Sequence, residues 1–248
     1  MWRLLGLISV GVVLCGQIRE EQKVLVDGVV ETWQLRWKLS PKPVCEANDI
    51  SLTCPCTGFA FGEGGDLELV RIRKSAVIDR LDLTSFFDEI LADTGQVAIV
   101  KRWEPNYEKD HSIGGEEGFA ELVAKRPVTR VMDFADYDHD GVKSEFFLQT
   151  STRPCGKRYG IVVGVSKSKD KLHAFRGVSD ALVLRKESWD ALRQATRPVR
   201  VVQWPCDDHG ADQETEVELS WTKLGIAGIR RQFSCGSGPR VVVSEKPL

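Results

Sequence analysis

Beyond residues 4–14 the chain has no second long apolar run, so nothing in 17–248 is long enough to span a bilayer as a helix. It has no surplus of one charge either. Thirty-four Lys and Arg stand against 36 Asp and Glu, a formal net charge of −2, and the two signs are interspersed. No basic stripe with interleaved aromatics appears, which argues against nucleic acid as a partner. Internal repeats, low-complexity tracts and long linkers are missing, so solenoids and propellers built from repeated units are not indicated. Nucleophile elbows, HExxH, P-loops and GxGxxG fingerprints are missing as well. The four histidines, His111, His139, His173 and His209, are scattered, and none has an evident catalytic partner nearby in sequence.

What is present begins with an address. Arg3 precedes a weakly polar core from Leu4 to Leu14, the pattern of a secretory signal peptide over residues 1–16 with cleavage after Cys15 or Gly16. A lipid anchor on Cys15 fits less well, because Leu14 is bulky where a small residue belongs. Of the seven cysteines, Cys45, Cys54, Cys56, Cys155, Cys206 and Cys235 then remain. An even number in an oxidising compartment predicts three disulfides and a secreted or periplasmic protein. The pairs Cys54/Cys56 and Cys206/His209 match no common zinc spacing.

The stretch richest in chemistry is 133–147, DFADYDHDGVKSEFF. Asp136, Asp138 and Asp140 alternate, Gly141 follows at once, and Ser144 and Glu145 close the run. Three aspartates so close together repel one another unless a cation gathers them. Ca2+ takes six to eight oxygens, and alternate carboxylates, a glycine turn and a carbonyl beyond it supply most of that number. The expected ligands are Asp136, Asp138, Asp140, the Val142 carbonyl and one of Ser144 or Glu145. The plain alternative is an acidic solvent turn. Position twelve of an EF-hand count is Phe147 rather than glutamate, and Glu145 to Thr150 reads as a strand instead of a helix.

A DxDxDG loop that enters a strand resembles the FG-GAP and integrin-α type of calcium loop, whose closing carboxylate lies at the start of the strand. Here Ser144 takes that place and Glu145 follows it. The stretch from Val131 to Lys157 also resembles a family of uncharacterised exported bacterial proteins, a resemblance that implies export but no activity.

Around the loop the pattern is mainly β (α+β in a looser classification): an antiparallel sheet or sandwich, stapled by disulfides, with two or three short helices. Asp27-Gly28 predicts a tight hairpin turn. The strand after it alternates Trp33, Leu35 and Trp37 with Gln34, Arg36 and Lys38, an aromatic face for the core or, as a rarer fate, for stacking on sugars. Residues 66–72 and 77–83 read as hairpin partners and 96–100 as a further strand. Strands are also expected at 128–134, 159–165, 172–175, 181–184, 199–204, 216–221, 229–235 and 241–243. Helices are expected from Thr84 or Ser85 to Leu91, over Glu116–Arg126, and after a Ser188 cap with Trp189 and Leu192 inward. Residues 17–248 are read as one domain, with a division near Pro127 as the alternative.

Three functions fit. The first is a secreted, calcium-binding, non-catalytic module that binds polysaccharide or protein. The second is an extracytoplasmic hydrolase using Asp207, Asp208 or His209 in the 207–212 loop, which is otherwise a polar hairpin loop anchored by Cys206. The third is a structural cell-envelope protein.

Overall fold

A computed structural model describes residues 16–44, 62–87, 97–103, 125–153, 157–176, 180–222 and 225–248. The signal segment, four cysteines (Cys45, Cys54, Cys56 and Cys155), His111, nearly all of the 116–126 helix and the end of the 84–91 helix lie outside these residues.

The described residues are mostly β, in four antiparallel sheets. The first sheet has the order β1-β2-β5-β6, from Gln17–Val26 (β1), Val29–Trp37 (β2), Leu67–Arg73 (β5) and Ala76–Asp82 (β6). A small sheet joins Lys42–Val44 (β3), Gly62–Gly65 (β4) and Ala98–Lys101 (β7). The third is centred on Lys157–Ser166 (β9). Glu145–Arg153 (β8) pairs along one edge of β9, while Lys169–Ala174 (β10) and Leu184–Arg185 (β11) share the other. The fourth is the meander Val199–Trp204 (β12), Gln213–Thr222 (β13), Gly225–Ser234 (β14) and Val242–Pro247 (β15). Among the described residues there is one α-helix, Lys186–Gln194 (α1), and 3-10 turns lie at Thr84–Phe86 and Asp208–Gly210.

Local chemistry explains the turns. Asp27 (φ 48°) and Gly28 (φ 77°) both adopt positive φ, the conformation a type I′ hairpin needs. Lys74 and Ser75 make the β5–β6 turn the same way without a glycine, which the sequence pattern did not announce.

Period-two alternation then builds two cores around one hairpin. In β8, Phe146 and Leu148 join a core with Trp33, Leu35, Trp37, Leu67 and Leu69 of the first sheet, and Phe147 packs on the other side. Likewise β9 sends Ile161, Val163 and Val165 to the first core and Val162 to the second, with Trp189, Leu192, Val217 and Leu219. The β8–β9 hairpin is thus a middle layer, buried on both faces. Trp33 and Trp37 are wholly buried, so the aromatic stripe of β2 is core rather than a sugar platform.

Two local expectations are corrected. Residues 128–134 form no strand; side chains of β1 hold much of the segment, Thr129 N donates to the Arg102 carbonyl at 2.8 Å, and Asp133 N turns back to the Val131 carbonyl at 2.9 Å. Glu20 accepts the Val131 and Met132 N–H groups at 2.7 and 3.2 Å, Gln22 donates to the Met132 carbonyl, and Arg19 donates to the Thr129 carbonyl. Ser188 is not a helix cap: α1 begins two residues earlier, and the buried Ser188 hydroxyl accepts from the Gln203 amide.

A buried ion pair ties the first sheet to the start of β10. Arg71 meets Glu31 through two hydrogen bonds of 2.8 and 2.9 Å and reaches Asp170 at 2.8 Å, while Trp33 Nε1 donates to the same glutamate. Burial alone would raise the Glu31 pKa, but the bonds from Arg71, Trp33 and Arg73 outweigh it and hold the group below its ordinary value.

Candidate metal centre

The loop between residues 128–134 and β8 is cinched at its base. Ala135 N donates to Glu145 O at 2.7 Å and Glu145 N to Ala135 O at 3.2 Å, an isolated antiparallel bridge. Within it the side chains alternate. Phe134 meets Trp33 and Phe146 edge-on in the first core, while Ala135 and Tyr137 are buried in the second, Tyr137 edge-on to Trp189. Asp136 and Asp138 fall between these anchors.

The turn is shaped by aspartate side chains acting on nearby N–H groups, the ordinary behaviour of Asx turns. Asp138 accepts from Asp140 N at 3.1 Å, Asp140 from Val142 N at 2.8 Å and Asp136 Oδ2 from Gly141 N at 3.0 Å. Gly141 sits at φ 90°, a conformation that a side chain opposes. Gly164, across the ladder from Glu145, serves a different end: a Cβ there would lie 2.3 Å from Ser144 O. Only glycine lets the loop's closing residues lie flat on β9.

Three carboxylates converge. Asp136, Asp138 and Glu145 each place an oxygen within 4.8 Å of the others, and this group could hold a metal ion. Asp138 is 7 % exposed and Glu145 wholly buried. Glu145 accepts from Tyr137 N at 2.8 Å and contacts the Ser144 hydroxyl at 2.7 Å. Asp136 Oδ1 is buried and accepts no hydrogen bond, which is costly for a carboxylate oxygen unless a cation meets it.

The remaining expected ligands are placed differently. The Asp140 carboxylate accepts from Val142 N and, at 2.7 Å, from Lys167 N, while Lys167 Nζ donates to the Asp140 carbonyl. It therefore clamps the loop to the β9–β10 turn. Val142 is engaged through its N–H. Ser144 is turned toward Glu145 and toward the Val165 carbonyl at 2.9 Å, so of the two candidates for the closing position it is Glu145 that joins the carboxylate group.

Electrostatics follow from burial. Burial pushes the Glu145 carboxyl up to about 9; Asp138 and Asp140 add to this, against the bonds from Ser144 and Tyr137. Burial, then Asp140 and Asp136, pushes Asp138 up to about 6. A cation held among these carboxylates would reverse this balance and favour their ionised forms.

No family model, curated protein or solved structure matches the chain. The case for the site therefore rests on its geometry.

Sequence reasoning missed His139. Its backbone is left-handed (φ 58°), its Nε2 meets the Leu192 carbonyl at the end of α1 at 2.9 Å, and its ring stacks on Trp221 of β13. The available signal was the alternation itself: if Asp136, Asp138 and Asp140 form one set, residues 135, 137 and 139 form the other and must pack on something.

The 207–212 loop is a pinned hairpin corner. Cys206 and Cys235 form a disulfide, and Cys235 N donates to Asp212 O at 2.9 Å. Asp208 is paired with Lys157, which holds its pKa below the usual range, and the Lys157 ammonium lies 3.7 Å over the Trp204 ring. His209 is 3.6 Å from Asp208 and lies obliquely beside Trp204. His173 contacts the Lys171 carbonyl beside Phe175, and burial lowers its pKa.

Proposed function

We propose that this protein is a calcium-binding, non-catalytic module of the secreted or periplasmic compartment that binds polysaccharide or protein. The observation that carries the metal reading is the convergence of Asp136, Asp138 and Glu145 in one cinched loop, with Asp136 Oδ1 buried and unbonded. Calcium is favoured over zinc by an all-oxygen donor set, and over magnesium by an irregular cage that does not dictate an octahedron. The DxDxDG pattern entering a strand supports the same choice.

The Cys206–Cys235 bridge supports an oxidising compartment. Among the described residues no helix is long and apolar enough to cross a membrane. The rival hydrolase reading draws no support from Asp208, whose carboxylate is committed to Lys157 at a hairpin corner.

A calorimetric titration tests the metal reading: calcium binds wild type with a dissociation constant of about 0.1–1 mM, in the range of extracellular modules, and Asp138→Ala removes the signal. Equal calcium binding by the Asp138→Ala protein overturns it.

A further inference from the structure

Beside the metal loop lies a cavity of about 230 Å3 between β7, residues 129–133, β8, β9 and α1. That is smaller than the roughly 300–1,000 Å3 of sites that enclose drug-sized ligands, and suits a single ring. Its lining is unequal in charge. Lys101, Arg130, Arg158, Lys186 and Arg193 contribute to it, against Asp133 and Asp190.

Two of these cations have donors to spare. Arg130 is exposed and has no acidic partner among the described residues. Arg193 stands 4.0 Å from Asp133 and 3.9 Å from Asp190, ion-pair distances too long for hydrogen bonds. Lys186, by contrast, is bonded to Asp190 at 2.6 Å. Guanidinium forks with free N–H groups fit the planar oxygen pair of a carboxylate. Phe147 and Val131 add half-buried apolar surface to the same lining.

The two acids refine the choice. Asp133, its side chain 78 % exposed, repels a polyanion but accepts hydrogen bonds from hydroxyl groups. A ligand with one negative charge, several hydroxyls and a ring with an apolar face satisfies all of these groups together.

We infer that this cavity binds a sugar acid of the uronate class, with Arg130 and Arg193 on its carboxylate and Phe147 against its ring. The inference rests on the reading of the protein as a ligand-binding module, and it names the ligand's chemistry.

The test is calorimetric or NMR titration of the whole chain with galacturonate and glucuronate, beside galactose, propionate and inorganic phosphate, each in calcium and in EDTA. At least one uronate binds saturably, and the other three probes bind about tenfold more weakly or worse, the effect of losing charge-assisted bonds or their companions. Arg130→Ala, at an exposed and unpaired position, keeps its melting temperature and loses about tenfold in uronate affinity; Arg193→Ala loses as much. Arg200→Ala, an exposed side chain of β12 outside the cavity lining, leaves uronate affinity unchanged. Failure of both uronates, equal binding of galactose, propionate or phosphate, or an unchanged affinity in Arg130→Ala overturns the inference. A calcium-dependent melt that survives this failure leaves the metal reading standing. Uronate binding with no calcium response overturns the metal reading alone.

Discussion

The imidazole of His139 lies on the indole of Trp221, with ring centroids 3.9 Å apart and planes 23° from parallel. Together with the bond to Leu192 O, this fixes the centre of the acidic loop to both α1 and the fourth sheet. The loop is therefore held in place from both sides. An aromatic pair contributes about 0.5–1.5 kcal/mol, so Trp221→Ala should weaken calcium up to about tenfold, and Trp221→Phe much less. Titration calorimetry reads the difference. An unaltered affinity in Trp221→Ala would separate the stack from the site.

Calcium should raise the melting temperature relative to EDTA. At ten times the dissociation constant, linkage adds roughly 1.4 kcal/mol. Magnesium should give less, and Asp138→Ala should give no response. A wild-type midpoint that ignores calcium would reduce the loop to an acidic turn.

Glu145 and Ser144 can be told apart. Glu145→Gln should lose the calcium response, yet in EDTA near neutral pH it should match wild type in stability, because the buried carboxyl, pushed up to about 9, is already neutral there and the amide keeps its shape. Ser144→Ala should keep the response. The reverse pattern would assign the closing position to the serine.

The Glu31–Arg71 pair predicts an acid-sensitive contribution. Glu31 has a folded pKa below its unfolded value, so its stabilisation is present above the unfolded pKa and is lost as pH falls through the folded one. Glu31→Gln, which leaves Arg71 buried against a neutral partner, should cost about 3–5 kcal/mol near neutral pH. The gap from wild type should narrow in acid. Denaturant melts at several pH values measure it, and a gap independent of pH would refute the assignment.

Replacing both Cys206 and Cys235 by alanine should destabilise the protein by about 2–4 kcal/mol. Mass spectrometry of the mature protein without reductant should find these two bridged and no free thiol among the other four. Two or more reactive thiols would contradict an oxidising destination.

Much of the fold was legible where one physical rule acts alone. Period-two alternation located β2 and β5, a short apolar run located β9, and Asp27-Gly28 marked its hairpin because the backbone there needs positive φ. The pattern failed where tertiary partners replaced local ones. The 128–134 segment looks like a strand because its residues favour extended backbone, but Glu20 and Gln22, more than a hundred residues away, take the place of ladder bonds. At the site, spacing marked Asp136 and Asp138, but it marked Asp140 equally, and that carboxylate goes to Val142 N and Lys167 N. Which of Ser144 and Glu145 points inward was not readable, since it depends on Gly164 allowing close approach to β9. The role of His139 depended on Trp221, some eighty residues away, and no local signal names that partner.

The β9 strand shares its side chains between two cores, Ile161 and Val163 to one and Val162 to the other. Neither core can open while the other stays shut without tearing the strand between them, so melting should be a single cooperative event. Amide hydrogens of residues 161–163 should accordingly exchange with solvent only through global unfolding, the slowest class in the molecule. The acidic loop ends at β8, the ladder neighbour of that strand. A cation held there would therefore slow exchange at β9 as well as in the loop, and solvent isotope uptake far from the carboxylates would report its arrival.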